Sequence, residues 1–275
     1  MLSLYIITTT ILSLIFIIIL IYLVSIIINP KQPINYLKKH LQLNYNNYPI
    51  QDCTSYEEYE YLNIKNYIFY LDKNINTDTI IIDLPGGAFI SSCNTFDHYI
   101  HMDQPYNIAS IEYPVLPNYV YKQSIDYIMN AIQYIIDKYD YKKIILSAAS
   151  AGCYYAVKII NSEKFKNYII KFISVSGYFG YKTMRNIGTF LTQKVYLKQY
   201  KDKYLDCYPV PVTIETFYAV GEYDNMKIST YEYLKQSGSE NQVILYPKSV
   251  HCFYLNYNNT ITKGFYNDIS DFIKN

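Results

Sequence analysis

The tightest constraint on the fold is an alternation. Short apolar, largely β-branched runs recur at Tyr67–Leu71, Thr79–Leu84, Ile108–Tyr113, Lys143–Ser147, Ile170–Val175, Thr213–Val220 and Gln242–Tyr246, with stretches of helical spacing between them. Strands that carry so little polar surface need cover on both faces. The pattern therefore predicts a mostly parallel central sheet covered by helices. The clearest helix is predicted over Lys122 to Tyr139, where Ile125, Ile128, Met129, Ile132, Ile135 and Ile136 share one face. It leads directly into the run at Lys143.

A chain of 275 residues, 51% hydrophobic, is long enough for one core of ~200–250 residues and an appendage. Its net charge of +1 offers no basic footprint for nucleic acid, so no such partner is expected. Thirty-six tyrosines with no tryptophan read as compositional drift, and individual tyrosines receive no functional weight. The five cysteines, Cys53, Cys93, Cys153, Cys207 and Cys252, show neither C-x-x-C nor Cys/His spacing. No metal site and no disulfide framework are predicted.

The appendage is at the start. Met1 to about Ile28 contains no Asp, Glu, Lys or Arg, and as a helix it would rise ~42 Å against a hydrocarbon core of ~30 Å. It fits a retained transmembrane anchor over residues 1–29 better than a cleaved signal peptide, because it is long, lacks a basic start and meets no small-residue cleavage site before Asn29-Pro30. Lys31, Lys38 and Lys39 follow the run, which by the positive-inside rule predicts a single-pass protein with its folded domain in the cytosol. Residues 30–66 read as a linker or cap region with a short helix near Asn35 to Leu43. The folded domain is expected over residues 67–275.

Chemistry is sought at the carboxyl ends of the strands, where open α/β sheets place their sites. After Lys143–Ser147 comes Ala148-Ala149-Ser150-Ala151-Gly152, in which a serine sits among small residues between a strand and a helical stretch. Such a corner strains the serine backbone and brings strand and helix close together, so Ser150 is the candidate nucleophile. After Thr79–Leu84 comes Pro85-Gly86-Gly87-Ala88-Phe89, whose Gly86 and Gly87 N–H groups could form an oxyanion hole with that of Ala151. Asp224 follows Thr213–Val220 within Gly221-Glu222-Tyr223-Asp224, and His251 follows the last run within Val250-His251-Cys252-Phe253. An aspartate on one imidazole nitrogen fixes the tautomer and leaves the other to take the serine proton. Each element by itself also fits an ordinary turn; their joint order, Ser, Asp, His, is that of α/β-hydrolases.

Residues from about Thr79 to Phe253 resemble the α/β-hydrolase branch that contains hormone-sensitive-lipase-type carboxylesterases and arylacetamide deacetylases. The H-G-G-G-F-like loop of that branch resembles Pro85 to Phe89, and its Y-R-L-A-P segment resembles Tyr113-Pro114-Val115-Leu116-Pro117, followed by a helix bearing Asp126. Its G-D-S-A-G elbow resembles Ala148 to Gly152, its G-x-x-D Gly221 to Asp224, and its V-H-G-F Val250 to Phe253. Proline stands in place of the loop histidine at Pro85, alanine in place of the third glycine at Ala88, and Ala149 in place of the acidic residue before the nucleophile.

The resemblance implies an α/β-hydrolase fold, which follows the transmembrane helix expected from the N-terminal apolar run, and a serine hydrolase without cofactor or metal; together with that anchor it points to lipid or small apolar acyl esters. Ser150, Asp224 and His251 would form the triad, with Gly86, Gly87 and Ala151 as oxyanion donors. An amide hydrolase uses the same parts, and a membrane-tethered binding protein on a degenerate hydrolase fold stays open because the oxyanion loop is altered. The segment from Tyr178 to Pro211 is expected to shape an acyl pocket with the region before Asn66.

Overall fold

The computed structural model describes residues 55–92, 104–116, 118–180, 209–255 and 259–275. The expected span over residues 1–29, the short helix near Asn35 to Leu43, Pro117 and most of the segment from Tyr178 to Pro211 lie outside them. Among the described residues no helix is long and apolar enough to cross a membrane.

Eight strands form one sheet: β1 (Ser55–Tyr61), β2 (Ile64–Leu71), β3 (Thr79–Leu84), β4 (Asn107–Ile111), β5 (Lys143–Ala149), β6 (Ile169–Val175), β7 (Glu215–Gly221) and β8 (Val243–Tyr246). Their spatial order is β1-β2-β4-β3-β5-β6-β7-β8. The pairings of β1 with β2 and β2 with β4 are antiparallel, and all others are parallel. The order reverses between β3 and β5, which opens a crevice at their carboxyl ends. The loop carrying Gly86 leaves one of these strands, and Ser150 ends the other.

β3 and β5 read as nearly unbroken apolar runs because both of their faces are covered. Period-two alternation divides them between two layers. Ile80, Ile82 and Leu84 face a core filled by α1 (Tyr121–Tyr139) and α2 (Ala151–Ile160), whereas Ile81 faces one closed by α4 (Thr260–Lys274) through Phe265, Ile269 and Ile273. Between these two helical layers in sequence lies α3 (Lys227–Lys235), which joins the first core through Tyr233 and Leu234.

The seven expected strands are all present, and α1 begins one residue before its expected start. Two boundaries differ for physical reasons. β4 stops at Ile111 because Pro114 has no N–H to give a ladder and restricts the residue before it. β1 and the start of β2 fall in the stretch assigned to the linker or cap, so the sheet begins by Ser55 and not at residue 67. The tyrosine- and glutamate-rich β1 hid this by lacking an apolar run. Its side chains lie on a hairpin edge, exposed or half-buried throughout.

Candidate active site

Ser150 occupies the corner between β5 and α2 at φ 48°, ψ −118°, a backbone conformation that costs an L-residue on the order of 1–3 kcal/mol. Neighbouring backbone holds it there. Its N–H donates to the Val175 carbonyl at 3.0 Å, and its carbonyl accepts from Tyr178 N at 3.0 Å and Cys153 N at 3.1 Å. Small neighbours are required for steric reasons. A Cβ on Gly152 would lie 2.1 Å from the Leu84 carbonyl oxygen, so only glycine lets α2 start so close to β3. Ala148, in the place of the elbow's first glycine, is buried without a clash-prone positive φ.

Asp224 and His251 are brought together by a second close approach. A Cβ on Gly221 would lie 2.5 Å from the Ser249 carbonyl oxygen, and the two loops are then joined by Tyr223 N to Ser249 O at 2.8 Å and Lys248 N to Glu222 Oε2 at 2.7 Å. His251 Nδ1 consequently sits 3.0 Å from Asp224 Oδ1 and 3.2 Å from Oδ2. That arrangement assigns the Nδ1 proton to the aspartate side and leaves Nε2 as the nitrogen able to accept a proton. The Asp224 side chain is fully buried, while the imidazole is 34% exposed.

Burial works against the charge of Asp224, but the His251 hydrogen bond and the Met226 N–H at 2.7 Å hold its carboxyl below the usual range. Burial likewise opposes a charged His251. The neighbouring Cys252 sulfur and the Asp224 carboxylate outweigh it and carry the imidazole up to about 10.

The strands set the spacing. β6 separates β5 from β7, so at ~4.8 Å per strand the serine corner and the acid lie ~10 Å apart along the carboxyl edge, a gap that a histidine is long enough to bridge. The described contacts join His251 to Asp224 but include no hydrogen bond between the Ser150 hydroxyl and the ring. In unliganded sites that bond is often long and tightens with substrate.

Gly86 abuts the serine, its Cβ position lying 3.1 Å from Ser150 Cβ. The following residues form a tight turn in which Ile90 N and Ser91 N both donate to the Gly87 carbonyl at 3.0 Å. Gly87, Ala88 and Phe89 have φ of 137°, 53° and 65°. Ala88 thus takes up the left-handed geometry of the glycine it stands in for, at ~1–2 kcal/mol. Ala151 is the first residue of α2, with its N–H at the helix start beside Ser150.

Tyrosines, given no functional weight individually, have a definite packing role here. Phe89 packs against Tyr154, Tyr155 and Tyr178 at ring distances of 6.1, 5.6 and 5.4 Å, forming an aromatic bed beneath the loop. Composition concealed this bed, since nothing in a sequence with so many tyrosines marks these as special. Among the described residues no three His, Cys, Asp or Glu side chains gather as metal ligands, and Cys153 and Cys252 are free thiols.

No protein-family model matches the chain, and no curated protein matches it in sequence. Solved structures do match in shape. An esterase/lipase from an uncultured bacterium superposes with a TM-score of 0.70 at 13% identity, covering 88% of this chain and 90% of that one. The Francisella virulence factor BioJ gives 0.67 at 19% identity, over 86% and 91%. A hormone-sensitive lipase from a metagenome library gives 0.64 at 13% identity, over 90% and 98%. The chain has the α/β-hydrolase fold. Esterases and lipases are prominent among the proteins that share it at this level of likeness.

Proposed function

We propose that this protein is a serine hydrolase of carboxylic esters, of the hormone-sensitive-lipase type, held at a membrane by residues 1–29 with its folded domain in the cytosol. The observation that carries the reading is the buried Asp224 carboxylate on Nδ1 of His251, at the same sheet edge as a serine held at φ 48°. In this reading Ser150 Oγ attacks the ester carbonyl carbon while His251 Nε2 takes its proton. Collapse of the tetrahedral intermediate expels the alcohol, which receives that proton, and leaves an acyl-serine. Water, activated by the same nitrogen, then releases the acid. Gly86, Gly87 and Ala151 would donate to the oxyanion, at about 3–4 kcal/mol for each well-aimed donor.

Lipid or small apolar acyl esters are the proposed substrates, in keeping with the apolar N-terminal run and the esterases and lipases of like fold. A fluorophosphonate probe tests the chemistry. Wild-type protein should be labelled and Ser150→Ala should not; an unlabelled wild type would favour a binding protein, the second reading that Pro85 and the altered loop support.

A further inference from the structure

We infer that Tyr113 is a positioning residue for the oxyanion loop, its phenol hydroxyl aiming the Gly86 N–H by holding the carbonyl of Pro85. The inference rests on the ester-hydrolase reading of the site and adds to it a residue outside the triad and the loop.

Tyr113 is 1% exposed, and its hydroxyl donates to the Pro85 carbonyl oxygen at 2.5 Å. Its ring cannot readily swing away. It packs edge-on against Tyr155 of α2 at 5.0 Å, and Tyr121 stacks on the same Tyr155 at 5.2 Å. The backbone that follows β4 is tied to the loop twice more, by Leu116 N to Phe89 O at 2.9 Å and by Ser92 Oγ to the Tyr113 carbonyl at 2.7 Å. The segment after β4 therefore cradles the loop after β3.

The Pro85 carbonyl and the Gly86 N–H belong to one peptide unit. In a planar trans peptide they point in opposite directions, so fixing the oxygen fixes the donor. With the oxygen drawn towards Tyr113 and packed against the start of α2 at Gly152, the N–H points the opposite way within the same peptide plane. Gly86 itself stands against Ser150 and the Ala149 carbonyl, with its Cβ position 3.1 and 3.2 Å from them. An aim error in this one peptide would thus be felt at the serine. Pro85 has no N–H of its own with which to anchor the loop, which leaves its carbonyl as the available handle.

Tyr113→Phe keeps the ring and removes only the hydroxyl. Three readouts test it: kcat and KM on a short p-nitrophenyl ester, affinity for a trifluoromethyl ketone that forms an oxyanion adduct with a serine, and amide exchange of Gly86 in protein labelled with 15N-glycine, of which the chain has only nine. Tyr127→Phe is the control. It loses an equivalent phenol-to-carbonyl bond, Tyr127 OH to Tyr59 O at 2.9 Å, beside the β1–β2 hairpin.

Misaiming a donor should cost less than the ~10²–10³ of deleting one, so kcat should fall roughly tenfold with KM almost unchanged. Ketone affinity should fall by a similar factor, and Gly86 exchange should accelerate, with none of these changes in Tyr127→Phe. Unaltered kcat, a loss carried by KM, or equal losses in the control would overturn the inference. If wild-type protein neither hydrolyses esters nor reacts with a serine probe, the hydrolase reading falls and Gly86 exchange alone decides: faster exchange in Tyr113→Phe sustains the positioning role, and unchanged exchange overturns it.

Discussion

The two halves of the site are held by different forces. His251 and Asp224 are joined by hydrogen bonds and charge across two loops, whereas Ser150 and the Gly86 loop are held by backbone geometry, close contact and an aromatic bed. An electrostatic half responds to protons, even though the loops that carry it also meet at one close approach, at Gly221. A steric half responds to volume instead, because a packed interior cannot yield to one added methyl group while it is indifferent to pH. The site therefore combines a part that titrates with a part that does not.

The largest effect that would sharpen this contrast is expected from Asp224→Asn. The substitution preserves shape and removes charge, so kcat should fall about 10⁴-fold through loss of the imidazole tautomer and its charge stabilisation. The melting temperature at neutral pH should fall as well, because the pair's contribution to stability is lost with the charge. Retained turnover would show that this pair does not run the chemistry.

Gly152→Ala is the converse, changing volume without charge. With its Cβ 2.1 Å from the Leu84 carbonyl oxygen, strand or helix must shift, and a loss of ~1–3 kcal/mol in unfolding free energy should accompany reduced probe labelling at Ser150. A variant with wild-type stability and labelling would show that the corner is not sterically held.

The pH profile separates the halves more gently. The folded imidazole is raised from its ordinary 6.5 to about 10, so the pair's contribution to stability is fully present below ~6.5 and is lost as pH rises towards 10. Activity has the opposite sign, since the base form appears only as pH rises through the same range. Cys252→Ala tests the sulfur's share of that shift: a thiolate beside the ring favours the imidazolium, so its removal should move the acid limb of kcat/KM to lower pH. An unmoved limb would exclude Cys252 as a modulator.

The smallest catalytic effect is expected from deleting residues 1–29. The protein should leave the membrane pellet, hydrolysis of a water-soluble short ester should stay nearly unchanged, and hydrolysis of bilayer-dissolved esters should fall as effective concentration is lost. Loss of soluble-ester turnover in a folded truncated protein would show that the N-terminal region shapes the site.

Much of this architecture is local and therefore legible in the chain. β3 and β5 announce themselves as mostly apolar runs because both of their faces are buried, with Asp83 and Ser147 as buried polar exceptions, and α1 does so through the spacing of its isoleucines. Ser150, Asp224 and His251 could be named because each follows a strand. Gly152 and Gly221 occupy positions where a side chain would strike backbone, which restricts residue choice enough to leave a motif. β1 was not legible, since an edge hairpin needs no apolar run. Nor was the role of Tyr113 or the upward shift of the imidazole, whereas the contact of Asp224 with His251 was anticipated and only its 3.0 Å geometry was added. These depend on groups far apart in sequence. A phenol among thirty-six carries no sign of the carbonyl it will meet, and only the docking of the β4, β3 and α2 segments supplies that partner.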